Sequence, residues 1–205
     1  MNPVPLDTTQ LLAIAAALGW ASGLRLYLVV FVTGLAGYLG WVELPHGLKL
    51  LQQPTLLGAS GFLLAVEFFA DKIPGVDTLW DVLHTVIRIP AGAALAAAVF
   101  GGDHATWAAA AALLGGTLAA TSHVAKATTR AAANTSPEPF SNIGLSLLGD
   151  AGVPLALWLS WQHPLVFFAV LLVALALMVA LIVVLGKFLR ALLRRVAGWM
   201  RPRSA

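Results

Sequence analysis

Residues 164–186, PLVFFAVLLVALALMVALIVVLG, carry no charged side chain and no hydroxyl, amide or imidazole group. A hydrocarbon layer of about 30 Å takes about 20 helical residues to cross, and a helix that is apolar on every side needs an apolar surrounding. This run alone therefore places the chain in a membrane. The rest agrees: of 205 residues, 60% are hydrophobic and 10% charged, where soluble domains carry about 25% charged residues. The length suits about six spans joined by short loops.

The other segments follow from breaks in the apolar pattern. A first segment, 11–41, is long for one span and is interrupted by Trp20-Ala21-Ser22-Gly23 and then Arg25. It reads either as one broken span or as a short re-entrant piece followed by a span from Leu24. A loop with Glu43, Pro45, His46, Lys49 and Pro54 comes next, then a span over 56–70. Ile73-Pro74-Gly75 turns the chain, and Asp77 is placed to cap a third helix over 78–100, kinked at Pro90. Spans over 105–133, 141–161 and 164–186 complete the chain, separated by Gly101-Gly102-Asp103, by Asn134 to Pro139 and by His163. The expectation is one all-α integral membrane domain over 1–205 with about six transmembrane helices. GWASGLRLYLVV and TLAATSHVAKATTR each set small and hydroxyl residues before a deep base, Arg25 or Lys126. Glu67 with Asp71, and Ser146 with Asp150, repeat an i, i+4 pair. These echoes suggest two inverted three-helix repeats, 8–102 and 103–186.

Six of the twelve Lys and Arg residues follow residue 186. In 187–205, Lys187, Arg190 and Arg194 lie opposite Leu189, Leu192, Leu193 and Val196, as in an amphipathic helix at an anionic lipid surface. The excess of bases makes this tail cytoplasmic. Counting back through six spans brings Arg130, Lys126, Lys72 and the N-terminus to the same side and leaves Lys49 outside, so both termini are expected in the cytoplasm. No base precedes the first apolar run, which makes it a poor signal peptide. Abundant alanine and an excess of Arg over Lys point to the inner membrane of a bacterium.

Against this background, VEFFADKIPGVDTLWDVLHTVIRIP (66–90) holds four of the nine acids. Asp77, Asp81, His84 and Arg88 recur at i, i+4, i+7 and i+11, one face of a helix. His123, Lys126 and Arg130 form such a stripe on the fourth span, and Asn142, Ser146 and Asp150 on the fifth. Glu67 and Asp71 mark the second and Arg25 the first. Arg88 stands about 15 Å into its helix, where an ionised group facing lipid costs about 3 kcal/mol or more. These side chains should face inward. Acids Glu67, Asp71, Asp77, Asp81 and Asp150 balance bases Arg25, Lys72, Arg88, Lys126 and Arg130, so a nearly neutral internal network is expected. Three readings fit it. The first is a small transporter or an ion or lipid translocator, with Arg25, Glu67, Asp71, Asp77, Asp81, His84, Arg88, Lys126, Arg130, Asn142 and Asp150 along its pathway. Its partners would be the bilayer and a small charged solute, ion or lipid headgroup. The second is a membrane-embedded metal enzyme, with Asp77, Asp81 and His84 as ligands of a divalent ion. The third is a structural or assembly protein with a salt-bridged core. No cofactor is otherwise expected. With no cysteine, thiolate chemistry and disulfides are excluded. No phosphate loop, HExxH, catalytic triad or nucleic-acid motif is present. Gly19-x-x-x-Gly23 is suited to close helix packing. A homo-oligomer is compatible with the sequence.

ASGLR (21–25), EFFADKIPGVDTLWDVLHTVIR (67–88) and NTSPEPFSN (134–142) together resemble a bacterial membrane-protein family known as domain of unknown function 4126. The resemblance covers most of residues 10–160. It implies a multi-pass inner-membrane protein without an established reaction and lends no catalytic residue. The motif positions here are Glu67, Asp71, Lys72, Pro74, Asp77, Trp80, Asp81 and Arg88.

Overall fold

The computed structural model describes residues 6–73, 75–101, 104–135 and 140–199, with side chains to 195. Pro74, Gly102-Asp103, residues 136–139, the Val196 side chain and the end of the basic tail lie outside the described residues. The described chain is helical, with no strand among those residues: α1 (Thr8–Tyr38), a short 3₁₀ helix (His46–Gln52), α2 (Pro54–Ala70), α3 (Val76–Ala98), α4 (Ala105–Ala133), α5 (Phe140–Gln162) and α6 (Pro164–Trp199). Five of these helices are long and apolar enough to cross a bilayer, and the 3₁₀ helix with α2, bent by 70°, makes a sixth candidate.

The first helix does not run straight. It starts at a capping box, in which Gln10 N donates to Asp7 Oδ1 (2.7 Å) and Asp7 N donates to Gln10 Oε1 (3.0 Å). Its helical geometry breaks at Arg25 (φ −149°, ψ 77°). The contacts on either side of the break show a reversal. Arg25 reaches Ser146 on α5, while Gln10, before it, approaches the Trp161 carbonyl (3.5 Å). After the break, Val32, Thr33 and Ala36 again share a cavity with Trp158 and Trp161. Both ends of α1 thus lie where α5 ends, and Arg25 is the tip of a re-entrant hairpin. The arm from Thr8 to Leu24 is about 25 Å long at 1.5 Å per residue. The hairpin departs from both readings of the first segment: the break falls at Arg25, in the interrupted stretch, but the arm after it returns to the end from which the first arm came instead of forming a span from Leu24. The resemblance between the first and fourth segments therefore does not extend to their path, since α4 runs through without a break.

Irregular backbone at membrane depth must be covered by protein, and α1 is the most enclosed element. It contacts every other helix. Small residues let α3 and α4 come close to it. A Cβ on Gly19 would stand 2.4 Å from Gly115 Cα, and one on Gly23 would stand 2.1 Å from the Ala119 carbonyl oxygen. The Gly19-x-x-x-Gly23 pair is a close-packing surface. Carbonyls released near the break are taken up by α4: Ser122 Oγ donates to Trp20 O (2.6 Å) and Lys126 Nζ to Leu24 O (3.0 Å).

Residues 43–54, expected to form a plain loop, contain the 3₁₀ helix. It buries Leu48 and Leu51, and Gly47 lies against Ala98 at the end of α3. The helix α2 that follows spans about 25 Å. At the start of α3 the N-cap is Gly75 (φ 87°), not Asp77. Asp77 Oδ1 instead accepts from the amides of Gly75 (2.8 Å) and Thr78 (2.6 Å). Pro90 sits within one continuous α3, as expected. The sixth helix continues past the apolar run to Trp199, and its apolar window is 6% buried, which leaves most of its surface for lipid.

Candidate functional site

Membrane burial inverts the amphipathic rule on α3. Asp77, Asp81, His84 and Arg88 are its buried face, while Val82, Leu83, Val86 and Ile87 are exposed. Water cannot solvate the charged face, so bases and acids from other helices must. All ten residues of the charge tally take part in ion pairs of 3.9 Å or less, and their formal charges cancel.

Asp71, the C-cap of α2, is the hub. Its Oδ2 lies 2.7 Å from Arg25 Nη1, 3.1 Å from Lys126 Nζ and 3.1 Å from Arg130 Nη2. A carboxylate at a helix C-terminus opposes the helix dipole, and three cations on one oxygen offset that. A second centre lies deeper. Arg88, fully buried, donates from Nη2 to Glu67 Oε1 (2.5 Å) and from Nη1 to Asp81 Oδ1 (2.6 Å). Lys126 joins the two centres, 3.0 Å from Asp81 Oδ1. Arg130 closes the cluster toward the helix ends, 3.5 Å from Asp77 Oδ2. On the other flank Arg25 Nη2 pairs with Asp150 (3.0 Å) and donates to Ser146 Oγ (2.6 Å). Lys72, in the α2–α3 turn, reaches Asp150 (3.6 Å) and lies 2.9 Å from the centroid of the Phe68 ring. Burial lowers the Lys72 ammonium from its ordinary value, and Asp150 opposes the shift.

The expected pathway residues are thus brought together, with two at the margin. Asn142 Nδ2 donates to Asn134 Oδ1, and Asn134 Nδ2 donates to Asp77 Oδ1 (3.0 Å) and Thr78 Oγ1 (2.9 Å). His84 shares a hydrogen bond with the Tyr27 hydroxyl (3.1 Å) and one with the Trp80 carbonyl (2.8 Å). Tyr27, Thr85 and Asn134 were missed as site residues. Asn134 sits in a run that reads only as a helix breaker, and Tyr27 falls off the i, i+4 spacing of the charges. Thr85 lies beside a charged stripe and is tied to it by its bonds to the Asp81 carbonyl (3.0 Å) and His123 (2.8 Å). The three metal candidates do not converge: Asp77 is held by Asn134 and Arg130, Asp81 by Arg88 and Lys126, His84 by Tyr27 and Trp80. Among the described residues no group of three or more His, Asp or Glu is arranged to hold a metal ion.

Two cavities flank the cluster. One, of about 250 Å³, lies between α1, α4, α5 and α6, and its charged lining residues are three bases, Arg25, Lys126 and Arg130. The other, of about 280 Å³, lies against α3, α4 and α6, where Asp81 is joined by Thr78, Thr85 and Thr128. The Lys126–Asp81 ion pair stands between them.

The family model described as domain of unknown function (DUF4126) matches residues 12–184. The chain belongs to this family. The DUF4126 match takes in the whole α1 break, every member of the ion-pair cluster and most of the apolar run of α6, and stops before the basic tail. No curated protein and no solved structure matches the chain.

Proposed function

We propose that this DUF4126 member is a small translocator whose ion-paired core is the closed state of a charged intramembrane pathway. The observation that supports this most is the pair of mostly apolar cavities whose charged lining residues are opposite in sign, Arg25, Lys126 and Arg130 in one and Asp81 beside threonine hydroxyls in the other, divided by the Lys126–Asp81 contact. Buried ion pairs seldom stabilise a protein more than well-packed apolar residues would, and ionisable groups inside a membrane most often belong to pathways. A network of ten such groups around a re-entrant tip matches the discontinuous helices on which transporters build their sites. Exchange of partners among these charges would let a solute pass without leaving any one of them bare. In this reading the basic tail and the α2–α3 turn face the cytoplasm, by the distribution of bases. The reversal of α1 then sets the N-terminus at the opposite face, in place of the even count read from the sequence.

Purified protein in liposomes, screened for proton, ion and fluorescent-lipid flux, tests the proposal. Flux should appear in one assay and fall at least about tenfold in Asp81→Asn, since losing one of a coupled charge pair costs on the order of 1.4 kcal/mol or more. Absence of flux in every assay, or flux indifferent to Asp81→Asn and Asp71→Asn, would sink it. The complete pairing of the cluster also favours a second reading, a salt-bridged structural core. That reading expects Asp81→Asn combined with Arg88→Gln to keep whatever function the cell measures, whereas a pathway loses it.

A further inference from the structure

The basic cavity does not end at its bases. Along the seam between α5 and α6 a second hollow of about 160 Å³ is lined by apolar residues only, among them Leu155, Leu159, Phe167, Val170 and Leu171. Trp20 and Gly152 line both hollows. The two thus form one cleft, basic toward the α2–α3 turn and apolar toward the α5–α6 turn. Its rim residues Leu148 and Leu181 are exposed on the bundle surface, so the cleft opens sideways to lipid. Resting on the translocator reading, we propose that this cleft is the binding site of an anionic amphiphile: a phosphate-bearing headgroup among Arg25, Lys126 and Arg130, and an acyl chain along the apolar seam.

Charge and shape both select this occupant. Three bases with no acid in the lining suit an anion, and the guanidinium forks of Arg25 and Arg130 suit a phosphate in particular. The Asp71 carboxylate already shows what the bases hold, since its Oδ2 touches all three. A headgroup entering from the seam would compete with Asp71 for the same cations. Two donors among these bases carry no hydrogen bond in the closed cluster: Arg25 Nη1, although 2.7 Å from Asp71, and buried Arg130 Nε. The apolar seam lies in line with the basic end, as the chain of a membrane lipid lies in line with its headgroup. A free inorganic anion would leave the seam unused.

Trp20 reports on both halves. The full-length protein is reconstituted into phosphatidylcholine vesicles doped with a lipid brominated on its chains and carrying either a phosphatidylglycerol or a phosphatidylcholine headgroup. The Trp20 signal is the difference between wild type and Trp20→Phe. Brominated phosphatidylglycerol should quench it at lower mole fraction than brominated phosphatidylcholine. A Cβ on Gly152 meets nothing within 4 Å, so Gly152→Leu fills the cleft without disturbing an ion pair, and it should abolish the preference. Lys126→Gln should weaken it about fivefold, as expected for one base fewer near an anionic headgroup. Millimolar inorganic phosphate should leave the quenching unchanged, while a short-chain phosphatidic acid displaces it. Equal quenching by the two headgroups, a preference that survives Gly152→Leu, or displacement by inorganic phosphate alone would each overturn the proposal. The assay needs no flux, so a failed transport screen leaves this site standing, and headgroup-blind quenching leaves the translocator reading standing.

Discussion

Asp71 accepts three cations on one oxygen, with its side chain wholly buried. Removing it leaves Arg25, Lys126 and Arg130 close together without their shared counter-charge, which is the costly way to break a buried ion pair. Asp71→Asn is therefore expected to destabilise the protein by about 3–5 kcal/mol. Asp150 is 20% exposed and shares Arg25 with Asp71, so Asp150→Asn should cost distinctly less. Thermal unfolding in detergent ranks the two, and equal losses would remove Asp71 from its place as the hub. The same logic predicts a coupling at the deeper centre. Arg88→Met alone strands Glu67, whereas Glu67→Gln with Arg88→Met removes one charge of each sign. The double variant should be the more stable of the two, and a double-mutant cycle with Glu67→Gln should give a coupling of roughly 1–3 kcal/mol. A double variant no better than Arg88→Met would show that Glu67 is satisfied by other means.

The elements carry these residues because small side chains allow it. At Gly23 a Cβ would stand 2.1 Å from both the Ala119 carbonyl and Ser122 Oγ, while at Gly58, on α2, it would meet nothing within 4 Å. Gly23→Ala should push the α1 tip from α4, costing at least the 1–3 kcal/mol typical of overpacking. Gly58→Ala should be neutral or gain about 0.5–1 kcal/mol from helix propensity. A thermal midpoint for Gly23→Ala at or above wild type would argue against this packing. What could be read in the sequence follows the same physics. The polar face of α3 was legible because Asp77, Asp81, His84 and Arg88 keep helical spacing, and a membrane leaves charges nowhere to face but inward. The capping of that helix was misread, since Gly75 with its positive φ takes the cap position beside Asp77. Only half of the α1 reversal was legible. ASGLR marks a break, but what secures it, Ser122 and Lys126 on Trp20 and Leu24, comes from about a hundred residues away. The 3₁₀ helix at 46–52 was invisible because a short run of mixed residues shows no period.

At the scale of the molecule, the reversal of α1 decides the topology. Thr8 belongs to the end of the bundle that holds Trp161 and the 3₁₀ helix, and Thr135 follows α4 at the other end, beside the α2–α3 turn. α4 joins the two levels over about 43 Å, its length at 1.5 Å per residue, more than the hydrocarbon thickness. A count of six full spans would put Thr8 and Thr135 on the same face of the membrane, whereas the proposed re-entrant α1 would put them on opposite faces. The absence of cysteine makes the distinction clean. Single cysteines at Thr8, Lys49 and Thr135, all exposed positions, can be labelled in intact cells with a membrane-impermeant maleimide. Thr8→Cys and Lys49→Cys should react from outside, and Thr135→Cys only after permeabilisation. In the proposed orientation the bases gathered at 187–195 lie in the cytoplasm, so reversing the whole pattern would require the tail to be outside. Labelling of Thr8→Cys together with Thr135→Cys would return α1 to a full span, and with it would go the re-entrant tip on which Arg25 is carried.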